Sequence, residues 1–201
     1  MRPEQTMQLP EVVKQGEWPT GMTLWFTGIS GAGKTTLCRA VADYLSAEGF
    51  PVAILDGDEI RETISAGLGY SREDREENIR RITLAAEGLV ESGVITLVAA
   101  ISPYATMRAE ARKRLGSFIE IYVNASLPTC IDRDPKGLYH RALIGEIRDF
   151  TAISDPYEPP LNPEVECNTD SESIEESVAK ILNTVFAKGL RPPPWGAIRV
   201  A

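Results

Sequence analysis

The sequence predicts an α/β fold in which a parallel, five-stranded sheet lies between layers of helix, with a lid segment over its edge. Three observations carry that prediction. Short apolar, β-prone runs alternate along the chain with stretches of helical periodicity. A glycine-rich turn joins the first such run to the first helix. Residues 134–163 carry prolines and glycines with little periodicity, and a loop of that length inside a compact domain is usually functional.

Taken in order, residues 22–27 (MTLWFT) form the first strand and residues 34–47 the first helix, whose Leu37, Val41, Ala42 and Leu45 recur on one face. Residues 52–55 read as a second buried strand, 71–91 as a long charged helix and 94–101 as a third strand. A basic helix is expected over 105–115, a fourth strand over 118–123 and a short helical stretch near 128–133. After the lid comes a last short strand at 165–167. A helix over 173–187 follows, with Ile174, Val178, Ile181, Leu182 and Val185 on one side. Residues 1–20 read as an arm or linker, 21–188 as the folded domain, and 189–201 as a proline-rich tail on the surface.

Composition limits the function. A chain of 201 residues, 43% hydrophobic and 25% charged, is ordinary for one globular domain. A formal charge of -8 argues against duplex nucleic acid as the main partner, because such proteins need a cationic footprint to displace counterions. Cys38, Cys130 and Cys167 lack metal-ligand spacing and are expected as reduced, buried thiols. No run of about 18 apolar residues occurs, so no membrane partner is expected and the cytoplasm is the expected location.

Residues 28–36 (GISGAGKTT) match G-x-x-x-x-G-K-[ST] at every fixed position, between a predicted strand and a predicted helix. This is the phosphate loop of P-loop NTPases, and it predicts their three-layer sandwich. Glycines let successive backbone N–H groups turn toward phosphate oxygens while the following helix offers its positive end. Gly28, Ser30, Gly31, Ala32, Gly33, Lys34, Thr35 and Thr36 are therefore expected to bind ATP. Lys34 would span the β- and γ-phosphates and Thr35 would ligate Mg²⁺. The loop is silent about the acceptor.

Past the second strand, residues 55–61 (LDGDEIR) place Asp58 at a strand's carboxyl end, where it suits either a helix N-cap or the orientation of a hydroxyl nucleophile. In residues 69–81 (GYSREDREENIRR), Arg75, Asn78 and Arg81 fall on adjoining helical faces and could converge on an anion. A solvated helix laced with Glu/Arg pairs fits the same composition.

Those two segments, the phosphate loop, ISPY (101–104), RDPKGLYHRA (133–142), GEIRDFT (145–151) and DPYEPP (155–160) stand in the same order as the motifs of adenylylsulfate kinases, and the chain resembles that family from about residue 20 to 187. The resemblance implies phosphorylation of the 3′-hydroxyl of adenosine 5′-phosphosulfate by ATP in sulfate activation, with related kinases of other nucleotide-linked or small-metabolite hydroxyls as the alternative. It implies Asp58 as partner of the attacking hydroxyl, and Arg61, Arg75 and Asn78 as ligands of the phosphosulfate and ribose; Arg81 joins the expected acceptor set from the helical spacing. Tyr70 and Phe150 would sandwich the acceptor's adenine. Arg133 would lie over the ATP base and Lys136 would reach the acceptor from the lid. Ile101 and Ser102 would line the acceptor side. Lys34, Asp58 and Ser102 make up the implied catalytic set. For Ser102 a binding role is expected rather than a phosphoserine intermediate, because in-line attack needs no covalent enzyme and no base stands near it in sequence. A homodimer and a possible sulfurylase partner are further implications.

Four positions depart from the family pattern. Ala100 stands where phenylalanine is usual, Ala152 and Ser154 stand in place of glycine and aspartate, and Tyr70 replaces phenylalanine.

Overall fold

The structure is a computed structural model that describes residues 21–190. The arm expected over 1–20 and residues 191–201 of the expected tail lie outside the described residues.

Each expected strand is present: β1 (Thr23–Thr27), β2 (Val52–Asp56), β3 (Ile95–Ala99), β4 (Phe118–Asn124) and β5 (Val165–Asn168). They form one parallel sheet in the order β2-β3-β1-β4-β5, so the strand that feeds the phosphate loop lies at its centre. The alternation of β1 explains the layering. Leu24 and Phe26 face one core, with Leu37, Val41 and Leu45 of α1 (Lys34–Ala47) and Ile181 and Val185 of the C-terminal helix. Trp25 faces the other, with Ile79, Ile82, Met107, Leu115 and Phe118. All five residues of β1 are buried, and full burial of each large apolar side chain stabilises the fold by about 1.5–3 kcal/mol.

Beside α1, the helices α2 (Gly57–Glu62), α3 (Arg72–Glu91), α4 (Ala105–Leu115), α5 (Leu127–Arg133), α6 (Leu138–Leu143) and α7 (Ile174–Ala187) complete the fold. Their starts follow from local chemistry. Ser71 accepts from the backbone N–H of Asp74 to cap α3, and Ser173 with Glu176 forms a capping box at α7. Helices α2 and α6 were not legible from periodicity, since six residues span less than two turns. The third strand stops at Ala99, short of the expected Ile101, because the chain leaves the sheet for a turn in which Ser102 has a φ of 41°.

Two further boundaries move. Leu190 is 3% exposed and packs in the core beside α7, so the folded unit runs past residue 188 and the tail does not begin there on the surface. The stretch 134–163 is not uniformly free. Tyr157 Oη lies 3.0 Å from Thr27 Oγ1, the N–H of Glu158 donates to the Pro103 carbonyl at 2.8 Å, and Arg108 donates to the carbonyls of Ser102 and Glu158. These bonds fasten residues 157–158 to the turn after β3, leaving the segment around α6 as the part of the lid that borders the cavity.

Candidate active site

At the carboxyl ends of the strands lies a cavity of about 1140 Å³, and nearly every expected site residue lines it. A parallel α/β sheet places a ligand there because strand order reverses about β1 and the flanking connections splay apart.

The donor half is made by the loop between β1 and α1. Gly28 is required by space: a Cβ there would stand 2.3 Å from the Val123 carbonyl oxygen of β4. It is buried under the loop and does not itself line the cavity, whereas Ser30 through Thr36 do. Gly33, at a φ of 102°, caps α1 with no side-chain bond, so the first N–H groups of that 14-residue helix stay directed at the cavity. Lys34 Nζ donates to the Ile29 carbonyl at 2.9 Å. Burial beneath the loop pulls its pKa down to about 8 against the opposing pull of Asp58 and Asp56. Arg133 reaches from α5 to the carbonyls of Gly31 and Thr169 at 3.3 and 2.7 Å, closing the rim of the donor half.

The sequence reading missed Asp56, which is 5% exposed. Its carboxylate accepts from Thr35 Oγ1 at 2.7 Å and from the N–H of Asp58 at 3.0 Å. Asp56, not Asp58, is thus the N-cap of α2, which leaves the exposed Asp58 carboxylate free of a capping role. The signal was present in the doublet Asp-Gly-Asp, whose first carboxylate stands where an N-cap belongs. Tyr139 and Thr169 were missed as well. Tyr139 ties α6 to the donor loop through its hydroxyl and the Ser30 carbonyl at 2.9 Å, and the Thr169 hydroxyl donates to the Ala32 carbonyl at 2.9 Å.

In the acceptor half, Asp58 is ion-paired with Lys136 of the lid. Arg61 lies with its guanidinium 4.5 Å from the Tyr70 ring centroid and donates to the Gly69 carbonyl at 2.7 Å. Arg75, buried, donates from Nε to the Tyr70 carbonyl at 2.8 Å and from its two terminal nitrogens to Thr151 Oγ1 and the Asp149 carbonyl. Asn78 is 6% exposed and lines the cavity with its Oδ1 unpartnered. Tyr70 is exposed, and Phe150 packs edge-on against Tyr139 at 5.0 Å; both border the chamber. Ile101 lines it too.

Two expectations change. Arg81 is not brought to the cavity: it donates to Glu77 Oε1 at 2.7 Å and to the Ile64 carbonyl at 2.9 Å, so here the bland reading of a helix laced with ion pairs is right. Ser102 reaches the wall of the cavity, yet its hydroxyl is inside the fold. It accepts from Trp25 Nε1 at 3.0 Å and lies 3.1 Å from Thr27 Oγ1 and 3.3 Å from the Ala100 carbonyl, and the residue is 1% exposed. That geometry gives the hydroxyl a structural role between β1 and the turn after β3.

A loop built for a polyphosphate, facing across one chamber a carboxylate and a set of arginines under a lid, defines a P-loop phosphotransferase. Comparison with known proteins narrows the class. The adenylylsulphate kinase family profile matches residues 20–168. An adenylyl-sulfate kinase of Microcystis aeruginosa is 56% identical over 169 residues, covering 84% of this chain and 93% of its own, and one of Picosynechococcus is 54% identical over 173 residues, with 86% and 98% covered. Among solved structures, the Mycobacterium tuberculosis APS kinase in complex with AMPPNP and APS is 41% identical, with a TM-score of 0.81 over 84% of this chain and 99% of that one. The chain belongs to the adenylylsulfate kinase family. No helix among the described residues is long and apolar enough to cross a membrane.

Proposed function

We propose that the chain transfers the γ-phosphoryl group of ATP to the 3′-hydroxyl of adenosine 5′-phosphosulfate, giving ADP and 3′-phosphoadenosine 5′-phosphosulfate, a step of sulfate assimilation. The observation that carries this reading is the single chamber in which the phosphate loop and the Asp58, Arg61, Arg75, Asn78, Tyr70 and Phe150 group face one another, in a chain of this family.

Phosphoryl transfer demands little covalent chemistry from a protein. It demands that two anionic nucleotides be held in line and that charge be stabilised. The loop N–H groups and Lys34 hold the donor, and Arg133 borders its base. Asp58 orients the 3′-hydroxyl and takes its proton as the bond to phosphorus forms, once an arriving acceptor has drawn Lys136 away from it. Arg61, Arg75 and Asn78 hold the phosphosulfate and ribose, and the rings of Tyr70 and Phe150 flank the adenine. Closure of the segment around α6 excludes water that would otherwise hydrolyse ATP.

Mg²⁺ fits this donor set. Thr35 and Asp56 place just two hard oxygen atoms, 2.7 Å apart, at the foot of the phosphate loop. That matches an ion that keeps waters and substrate phosphates as most of its ligands. Thr35, with Asp56 behind it, would hold the ion, which would supply neutralising charge to the β- and γ-phosphates. A homodimer and a sulfurylase partner are proposed from the family resemblance alone, and light scattering and co-elution test them.

Incubation with Mg-ATP and adenosine 5′-phosphosulfate, with products resolved by chromatography and mass spectrometry, is the decisive experiment. Equimolar ADP and 3′-phosphoadenosine 5′-phosphosulfate are expected. Turnover confined to some other hydroxyl acceptor would sink the reading.

A further inference from the structure

Arg75 carries a positive charge into the wall of the acceptor chamber with only 8% of its side chain exposed. A charge withdrawn from water needs a counter-charge. Among the described residues the one carboxylate within 4.0 Å of it is Asp155, whose Oδ2 stands 3.7 Å from an Arg75 terminal nitrogen. That separation is too long for a hydrogen bond, so the contact is one of charge.

Neither group depends on the other for its direction. Arg75 is aimed by the Tyr70 and Asp149 carbonyls and the Thr151 hydroxyl, which together take three of the five N–H groups of a guanidinium. Two N–H groups are left for a ligand. Asp155 is aimed by Tyr104, whose hydroxyl lies 3.1 and 2.9 Å from its two oxygens, and by the backbone of the loop it closes. In that loop the N–H of Ala152 donates to the Asp155 carbonyl at 2.7 Å and the N–H of Asp155 to the Phe150 carbonyl at 3.1 Å.

We propose that Asp155 is the resident counter-ion of Arg75 and sets the affinity for the acceptor's anion by competing with it. It is a positioning residue that acts through Arg75, not a catalytic one. In the empty chamber its charge stabilises the buried guanidinium. When a phosphosulfate arrives at the same guanidinium, the two anions repel, and part of the binding energy is lost. The chamber therefore holds its acceptor, and a product of higher negative charge, less tightly than its cations alone would. The inference rests on the reading of Arg75 as an acceptor ligand.

Asp155→Asn separates charge from shape, because the amide keeps an oxygen for the Tyr104 hydroxyl. The KM for adenosine 5′-phosphosulfate is expected to fall by roughly fivefold or more, a coupling in the usual range for interacting charges. The KM for ATP should stay within twofold, and the thermal shift produced by the acceptor should grow. A residue with only a structural role would raise the acceptor KM when lost. Asp155→Glu should return the KM toward the parent value, and Asp155→Ser supplies a second neutral variant if the amide does not fold. An acceptor KM that is unchanged or raised in both folded neutral variants overturns the proposal. Absence of turnover by the parent with this acceptor would instead overturn the function on which it rests.

Discussion

Replacing Ser102 with alanine tests whether its hydroxyl does chemistry or holds the fold. The side chain is 1% exposed, and its oxygen is the acceptor for Trp25 Nε1, on an indole that is itself fully buried and stacked on Phe118 at 5.6 Å. Alanine leaves that N–H without a partner. Thr27 is spared, since its hydroxyl still donates to the Ile101 carbonyl at 2.7 Å and keeps Tyr157 at 3.0 Å. One orphaned buried donor costs about 1–3 kcal/mol. Taking about 2 kcal/mol, and about 2–4 °C per kcal/mol for a domain of this size, Tm should fall by about 4–8 °C. Scanning calorimetry reads the stability and ADP release reads the activity. The variant should keep its kcat within about tenfold, because removal of an essential nucleophile costs about 10⁴-fold or more. Undiminished stability with abolished turnover, and labelled phosphate recovered on Ser102 of the parent, would refute the structural account.

Asp58→Asn should lower turnover by about 10²-fold or more while ATP affinity, measured by calorimetry, changes little; near-parental turnover removes Asp58 from the chemistry. Ala152 sits at a φ of 71°, where a Cβ costs about 1–2 kcal/mol and glycine costs none. Set against about 0.4–1 kcal/mol of added unfolded-chain entropy, Ala152→Gly should raise Tm by about 2–3 °C, and a lower Tm contradicts this. Hydrogen bonds from Arg80 and Arg81 hold the Glu77 carboxyl down at about 2. Its ion pairs thus contribute in full above the ordinary glutamate range and are lost as pH falls through about 2; a carboxyl carbon titration by NMR with a midpoint near 4 refutes this.

The sheet was legible because its strands are buried on both faces and read as unbroken apolar runs, as in residues 23–27 and 95–99. The phosphate loop was legible because its chemistry is backbone chemistry, carried by spacing alone. What escaped was whatever depends on tertiary approach. Asp58 offered two roles, and only the bond from its N–H to Asp56 assigns the cap to the neighbour. Arg75 and Arg81 stand six residues apart on one helix, and spacing alone placed both on faces that could meet an anion. The first turns into the chamber because residues 149–151 meet it there, and the second meets Glu77 and the Ile64 carbonyl. Tyr139 stands inside a motif that does not reveal its partner and Thr169 carries no motif, and their bonds to the donor loop span 109 and 137 residues. Ala152 was marked as a departure, and its left-handed backbone supplies the reason that glycine suits the position.

The strand order carries a consequence for the range of acceptors such a site can take. Strand β2, which delivers Asp56 and Asp58, is separated from β1, which delivers the phosphate loop, by β3 alone. Two interstrand spacings amount to about 9.5 Å, and main-chain ladders that side chains do not alter keep that interval. The sheet is thus a ruler between the two reactants. Exchanging Tyr70 or Ala100 redraws the chamber wall around an acceptor while the reach from donor to hydroxyl stays as it is. A new acceptor can be selected one wall residue at a time, with the phosphoryl transfer geometry inherited unchanged.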